Sequence, residues 1–246
     1  MSFKTTSKPR KNRPVDDRPR SVVKRIVEDD FIKRVSYEEY REKVRDVYSG
    51  PQGALLTTAS YLSLHIPLGE RLFRTRQFDP RGMKSILDVG SGAGQLAHHA
   101  LKYSDPGTRV TCVDLSHRML CRARQRLKSD RPDYAAADLT ELPFADESFD
   151  GVTCGYVLEH VPKPELGLAE LARVMRPGGR LLLLATEDTF SGAWTSRLWH
   201  CRTYNRRELR ELSESMGLRW NRELWFTPLH RVFRAGGICV EIIKAG

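Results

Sequence analysis

With 40% hydrophobic and 29% charged residues, the 246-residue chain can bury one large core, which excludes disordered, collagen-like and low-complexity classes. Its length is roughly 1.6 times a 150-residue domain, which leaves little room for two independent enzymes. The net charge of +10 is uneven: residues 1–20 carry seven basic groups and two acids, so half of the excess sits in a tail rather than on a nucleic-acid-binding face.

The stretch MSFKTTSKPRKNRPVDDRPR has charge but almost nothing to bury, and is expected to be a disordered basic tail. It has no apolar segment of the kind a secretory signal needs, and the longest strongly apolar run, Leu181 to Ala185, is too short to span a bilayer. From Ser36 the text changes. Ser36 and Glu39 form a capping box, and Tyr37, Tyr40, Val44 and Val47 recur at helical spacing until Gly50-Pro51. A less regular helical stretch, Ala54 to Arg76, leads to the turn Asp79-Pro80-Arg81-Gly82. Residues 21–83 thus read as an N-terminal helical cover, with the main domain over 84–246.

Strands and helices then alternate, the pattern of a parallel sheet wound on both faces. Ser85 to Val89 is the first strand, followed by glycine-rich residues 90–94 and a helix with Leu96, Ala97, Ala100 and Leu101 on one side. Val110 to Val113 is the second strand. Ser116 caps a helix whose Met119, Ala123 and Leu127 repeat every four residues. Tyr134 to Ala137 and Phe149 to Cys154 are the third and fourth strands. The helix bearing Leu168, Leu171, Ala172 and Met175 stops before Pro177-Gly178-Gly179, and Leu181 to Ala185 is the fifth strand. Asn205 and Glu208 cap a last helix ending at Gly217, with two further strands around Leu218 to Phe226 and Ile238 to Ile243.

The five cysteines, Cys112, Cys121, Cys154, Cys201 and Cys239, are odd in number, widely spaced and without a CxxC pair. They suggest neither a disulfide framework nor a zinc site, no metal is expected, and a reducing cytoplasm fits best.

The strongest chemical signal is Ile86-Leu87-Asp88-Val89-Gly90-Ser91-Gly92-Ala93-Gly94, an apolar strand running into an acid and a G-x-G-x-G loop that opens a helix. Glycine lets the backbone turn sharply and a ligand approach closely. A dinucleotide site wants glycine at the sixth position of this loop, which here is Gln95, so a nucleoside ligand without pyrophosphate suits it better than NAD. Asp114 ends the second strand, where an acid can accept both ribose hydroxyl protons; it can also simply complement a helix N-terminus. Asp138 follows the third strand, with Leu139 beside it. Such an acid can take the amino hydrogen of an adenine or stand solvated in a loop. Together the three strand ends converge where open α/β sheets bind ligands.

These segments, with Leu142-Pro143-Phe144 through Phe149-Asp150, Leu158-Glu159-His160-Val161 and Arg176-Pro177-Gly178-Gly179, resemble the class I S-adenosylmethionine-dependent methyltransferases, in particular the type 11 branch of ubiquinone/menaquinone and sterol methylating enzymes. The resemblance is close over residues 84–190. It implies a Rossmann-like, doubly wound sheet of seven strands, mostly parallel with an antiparallel C-terminal edge pair. It also implies S-adenosyl-L-methionine as cofactor. Asp88 and the turn Gly90, Ser91, Gly92 and Gly94 would hold the methionine part, Asp114 with Leu115 the ribose, and Asp138 with Leu139 the adenine. Cys154, Gly155 and Tyr156 would face the sulfonium and the acceptor.

A sulfonium methyl is already activated, so its transfer requires mainly that the nucleophile be held in line. His160 is the nearest candidate base, because an imidazole titrates near neutral pH, and Tyr156 orients the acceptor or lines its pocket. The fourth strand ends Thr153-Cys154-Gly155-Tyr156 rather than in an Asn/Asp-Pro-Pro-aromatic string, which disfavours adenine methylation in nucleic acid. Residues 187–204, with Phe190, Trp194, Leu198, Trp199 and His200, suit an apolar or aromatic small molecule and equally suit a packed lid. The tail reads as a solvated segment, as a peripheral contact to an anionic membrane, or as a nonspecific nucleic-acid contact; its lone aromatic, Phe3, supports neither base stacking nor deep insertion. The reading is therefore a cytoplasmic methyltransferase for a small molecule. A cofactor-binding protein without catalysis and an RNA or protein methyltransferase recruited by the tail are the rivals. Oligomeric state is not legible.

Overall fold

The computed structural model describes residues 65–189, 201–233 and 236–246, together with Glu42 and Gly192. The tail, residues 21–64 of the N-terminal cover apart from Glu42, and the aromatic residues of 190–200 lie outside these; Glu42, within the first expected helix, is helical and exposed.

The elements in chain order are α1 His65–Arg74, β1 Ser85–Val89, α2 Gln95–Tyr103, β2 Arg109–Asp114, α3 His117–Leu127, β3 Pro132–Ala136, β4 Phe149–Gly155, a 3-10 turn Leu158–His160, α4 Pro164–Val174, β5 Met175–Ala185, α5 Arg206–Ser215, β6 Leu218–Glu223, α6 Pro228–Phe233 and β7 Ile238–Lys244. The strands form one seven-stranded sheet in the order β3-β2-β1-β4-β5-β7-β6. The first five pair in parallel, while β7 runs antiparallel to both β5 and β6. This is the doubly wound, seven-stranded sheet with an antiparallel C-terminal pair that the sequence implied.

Period-two alternation places each strand's side chains on two cores. Leu87, Val89, Val152, Leu181, Leu183, Val240 and Ile242 join one cluster with Leu168 and Leu171 of α4 and Leu209 of α5. Their neighbours Ile86, Leu182, Leu184 and Cys239 join the other with Leu72 and Phe73 of α1 and Ala100 of α2. Truncating a fully buried leucine such as Leu182 costs about 2–5 kcal/mol at such sites.

The helix caps are those the sequence signalled. Ser116 accepts from the Met119 amide at the start of α3, and Asn205 accepts from the Arg207 amide at the start of α5. Two differences stand out. β5 begins at Met175 and runs through Pro177-Gly178-Gly179, with a register shift against β4 between Phe149 and Gly151, so the glycines form an irregular strand start instead of a loop. The third strand lies two residues earlier than its sequence pattern, and α6 had no counterpart in the periodicity.

The order of strands makes β1 the neighbour of both β2 and β4, so successive helices leave to opposite faces there. A crevice opens at the carboxyl ends of these strands, where ligands bind in such sheets.

Candidate functional site

The loop after β1 is built from its glycines. Gly90 (φ 64°) and Gly94 (φ 79°) both adopt left-handed backbone, and a Cβ on Gly90 would run into Cγ2 of Val157. At Gly92 (φ 54°) the nearest atom to a Cβ would be Gln95 Oε1 at 3.5 Å, so there the protein leaves room. The Ser91 amide donates to the Val113 carbonyl (2.8 Å) and the Gly94 amide to the Ser91 carbonyl (2.7 Å), which folds the loop back over the end of β2.

Asp88 is the support of that loop. Its carboxylate is 1% exposed and accepts from Ser91 Oγ (2.6 Å), Thr153 Oγ1 (2.6 Å) and the Ala97 amide (3.2 Å). Burial pushes its pKa up to about 6 against these hydrogen bonds. Through these bonds Asp88 shapes from beneath the loop that is expected to hold the methionine part.

Asp114 stands at the end of β2 with Oδ2 accepting from the Gly92 amide (2.8 Å) and Oδ1 from the Ser116 amide (2.8 Å). Each carboxylate oxygen has two lone pairs, so one on each remains to take a hydroxyl proton, the arrangement that a vicinal ribose diol requires. Burial raises its pKa. Leu115 follows it, half-buried. The Asp114 carbonyl accepts from the Ala137 amide (3.1 Å), which brings Asp138 to the same edge. Asp138 Oδ1 accepts both the amide and the hydroxyl of Thr140 (2.9 Å each), which fixes the plane of the carboxylate. Leu139 is buried, and its Cδ2 would meet a Cβ on Gly167 at 3.0 Å, so its side chain packs on α4.

The end of β4 differs from expectation. Cys154 is fully buried in the α4/α5 core, and that burial raises its thiol pKa; it does not face the crevice, because its register position alternates inward with Val152. Gly155 lies under Leu96, whose Cδ1 a Cβ would meet at 2.8 Å. Tyr156 holds a left-handed backbone (φ 58°), unusual for an aromatic residue, with its amide bonded to the Leu184 carbonyl (2.9 Å). Its ring packs against the cluster of Leu182, Leu184, Leu224 and Phe226. His160 closes the 3-10 turn, and burial lowers its pKa to about 4, so the imidazole is neutral and weakly basic at neutral pH. The near-neutral titration expected of it is not what its surroundings give.

Glu159, which no sequence argument singled out as chemical, is 3% exposed with a pKa raised to about 7 by burial. Its carboxylate accepts from Thr186 Oγ1 (2.6 Å) and the Thr186 amide (3.1 Å), and its carbonyl accepts from the Arg202 amide (3.1 Å). Tyr204 Oη donates to the Leu158 carbonyl (2.7 Å), and Glu187 bridges to Tyr204. The turn after β4 therefore holds both feet of residues 187–204. Only the long-range fold reveals this, because the partners lie some 27 to 46 residues apart in sequence. Among the described residues no group of three or more His, Cys, Asp and Glu side chains is placed to hold a metal ion, and no helix is long and apolar enough to cross a membrane.

The residues present suit an adenosyl ligand: an open glycine at the loop, a carboxylate with an acceptor position on each oxygen, and an oriented acid one strand further on.

Comparison with known proteins agrees. Residues 87–183 match the family model described as "Methyltransferase domain". The chain is 39% identical over 121 residues to the ubiquinone/menaquinone biosynthesis C-methyltransferase of Paracoccus denitrificans (46% of this chain, 48% of the relative). It is 42% identical over 114 residues to the demethylmenaquinone methyltransferase of Clavibacter sepedonicus (46% and 45%). It thus spans about half the length of the curated relatives it matches. The magnesium protoporphyrin IX methyltransferase of Synechocystis PCC 6803, solved with bound S-adenosylhomocysteine, shares the fold with a TM-score of 0.65 at 16% identity (83% of this chain, 100% of that one). So does the putative methyltransferase solved with the Haloferax volcanii Trm112 activator, with a TM-score of 0.66 at 19% identity (85% and 98%). Residues 87–183 thus match a methyltransferase domain, and the sheet around them has the fold that the solved methyltransferases above share.

Proposed function

We propose that the protein transfers a methyl group from S-adenosylmethionine to a small apolar or aromatic acceptor of the quinone type. The observation that carries the reading is the junction of three strand ends: the Gly92 amide on Asp114, and the Asp114 carbonyl on Ala137 next to Asp138. The quinone class is supported by the two relatives named above, each matched over about half its length.

When bound, S-adenosylmethionine supplies an electrophilic methyl group. The protein's part is to hold and exclude. Asp114 takes the ribose hydroxyls, Asp138 the adenine amino group, and the loop amides the remaining polar edge. Asp88, paired with Ser91, Thr153 and Ala97, keeps that loop in one conformation. Around the acceptor, a neutral His160 and the packed Tyr156 favour an apolar molecule over a charged one. With its pKa lowered to about 4 by burial, His160 is a weak base, and its part is to line the site as a neutral imidazole. Residues 84–246 serve as the catalytic domain and 21–83 as its cover, in a cytoplasmic protein whose basic tail provides a peripheral contact with anionic membrane.

The test is calorimetric titration with S-adenosylmethionine and, separately, NADH. The expected result is binding of the first only, weakened about tenfold or more in Asp114→Ala, which loses two charge-assisted bonds. Equal binding by wild type and variant, or preference for NADH, overturns the reading.

A further inference from the structure

Residues 137–148 join β3 to β4 without helix or strand, yet the loop carries Asp138, so something must hold it. The Asp138 carbonyl accepts from the Glu141 amide (3.1 Å), closing a turn that ends at Leu142. There α4 takes over. All five N–H donors of Arg173 are engaged: Nε and Nη2 grip the Glu170 carboxylate (2.7 and 2.8 Å), Nη2 also reaches the Leu142 carbonyl (2.9 Å), and Nη1 reaches the Phe144 carbonyl (2.7 Å) and Asp146 Oδ1 (2.8 Å). Glu170 Oε2 in turn accepts from the Leu142 amide (2.7 Å). Leu142 is thus held at both its N–H and its C=O by one ion pair. The Glu147 and Ser148 amides bond to the carbonyls of Arg173 and Val174 (2.9 Å each), so the loop is sewn to the last turn of α4 along its second half.

The Arg173–Glu170 pair sits one residue beyond the turn that presents Asp138 and has no other task in the site. A loop of this length has many conformations, and a carboxylate selects one hydrogen-bonding pattern only when its backbone is fixed. We propose that Arg173 and Glu170 are positioning residues for the Asp138 turn, and that through it they set the preference for an adenine over a base lacking the exocyclic amino group. The inference rests on the methyl-transfer reading, since that reading gives Asp138 an adenine to recognise.

The experiment titrates the full chain calorimetrically with S-adenosylhomocysteine and with its inosine counterpart, in which a carbonyl replaces the adenine amino group. Wild type is expected to prefer the adenine ligand roughly tenfold or more, because the inosine oxygen faces a carboxylate. In Arg173→Gln the preference falls toward one, with most of the loss on the adenine ligand. Glu170→Gln shifts the ratio in the same direction by less, and serves in place of the arginine variant should that fail to fold. A general loss of stability weakens both ligands equally and leaves the ratio alone. An unchanged ratio in both variants, equal weakening of both ligands, or a wild type without preference overturns the proposal. Wild type binding neither ligand overturns the methyl-transfer reading and the proposal with it, and is distinguishable from the other outcomes because it needs no variant.

Discussion

The side of the crevice proposed for the cofactor and the side proposed for the acceptor are held by different means. On the cofactor side, Gly90 to Gly94, Asp114 and Asp138 sit at the ends of adjacent parallel strands and are fixed by short-range backbone hydrogen bonds. On the acceptor side, the turn 158–160 and the feet of residues 187–204 are fixed by side chains reaching across the fold, Glu159 to Thr186 and Tyr204 to Leu158. The first arrangement leaves little freedom for variation, because a backbone amide donates in each contact and the glycines of the loop hold left-handed backbone. The second can change acceptor by changing the intervening segment while its feet stay in place.

Gly90→Ala is the most damaging way to test this contrast. The new methyl group would enter Val157 in a backbone conformation that already disfavours any side chain, a cost of about 3 kcal/mol or more. Gly82→Ala, at φ 77° with nothing within 4 Å, carries the strain alone and should cost about 1 kcal/mol. Denaturant midpoints of the two variants separate clash from strain, and equal losses would break the argument that the loop is closed against the acceptor turn.

Glu159 gives a pH signature to the acceptor side. Its folded pKa, about 7, lies above the ordinary 4.5, so its stabilising contribution is complete below about pH 4.5 and is lost as pH rises through 7. Between those limits wild type loses about 1.4 kcal/mol of stability per pH unit from this group. Glu159→Gln should remove that slope, so the difference in unfolding free energy between variant and wild type should move in the variant's favour from pH 5 to pH 8. Parallel profiles would show that the carboxylate is ionised in its pocket.

Tyr204→Phe is the mildest change, removing one buried hydroxyl bond to the Leu158 carbonyl for about 1–2 kcal/mol. Affinity for S-adenosylhomocysteine should stay within about twofold of wild type, whereas protection of the Arg202 and Tyr204 amides from hydrogen exchange should fall. A large loss of cofactor affinity would mean that the two sides are not separable.

The same contrast explains what was legible in the sequence. Asp88, the glycine loop, Asp114 and Asp138 could be found because each lies at the end of an apolar run and spacing along the chain stands for proximity across parallel strands. Cys154 was assigned to the crevice by its neighbours in sequence, yet alternation turns it inward beside Val152 and Leu183. The contacts of Glu159, Arg173 and Glu170 were not legible because many of their partners are backbone carbonyls and amides of distant segments, which no pattern of side chains records. The run Pro177-Gly178-Gly179 looked like a loop and is an irregular start to β5, since pairing with β4 resumes on its far side.

The place of β7 between β5 and β6 bears on how the chain matures. Strands β1 to β5 can pair with one another before β6 and β7 are made, since every pairing among them is available once β5 has left the ribosome. β6 cannot: its partner is made after it, so Leu218 and Trp220 stay uncovered until residues 238–244 arrive. When they do, Glu241 enters a dry site between Arg180 and Arg222, donors from two strands that have no contact without β7. Completion of the sheet is thus a single late docking event. A nascent chain stalled within the last strand would leave the edges of β5 and β6 unpaired and Arg180 and Arg222 without the carboxylate they share.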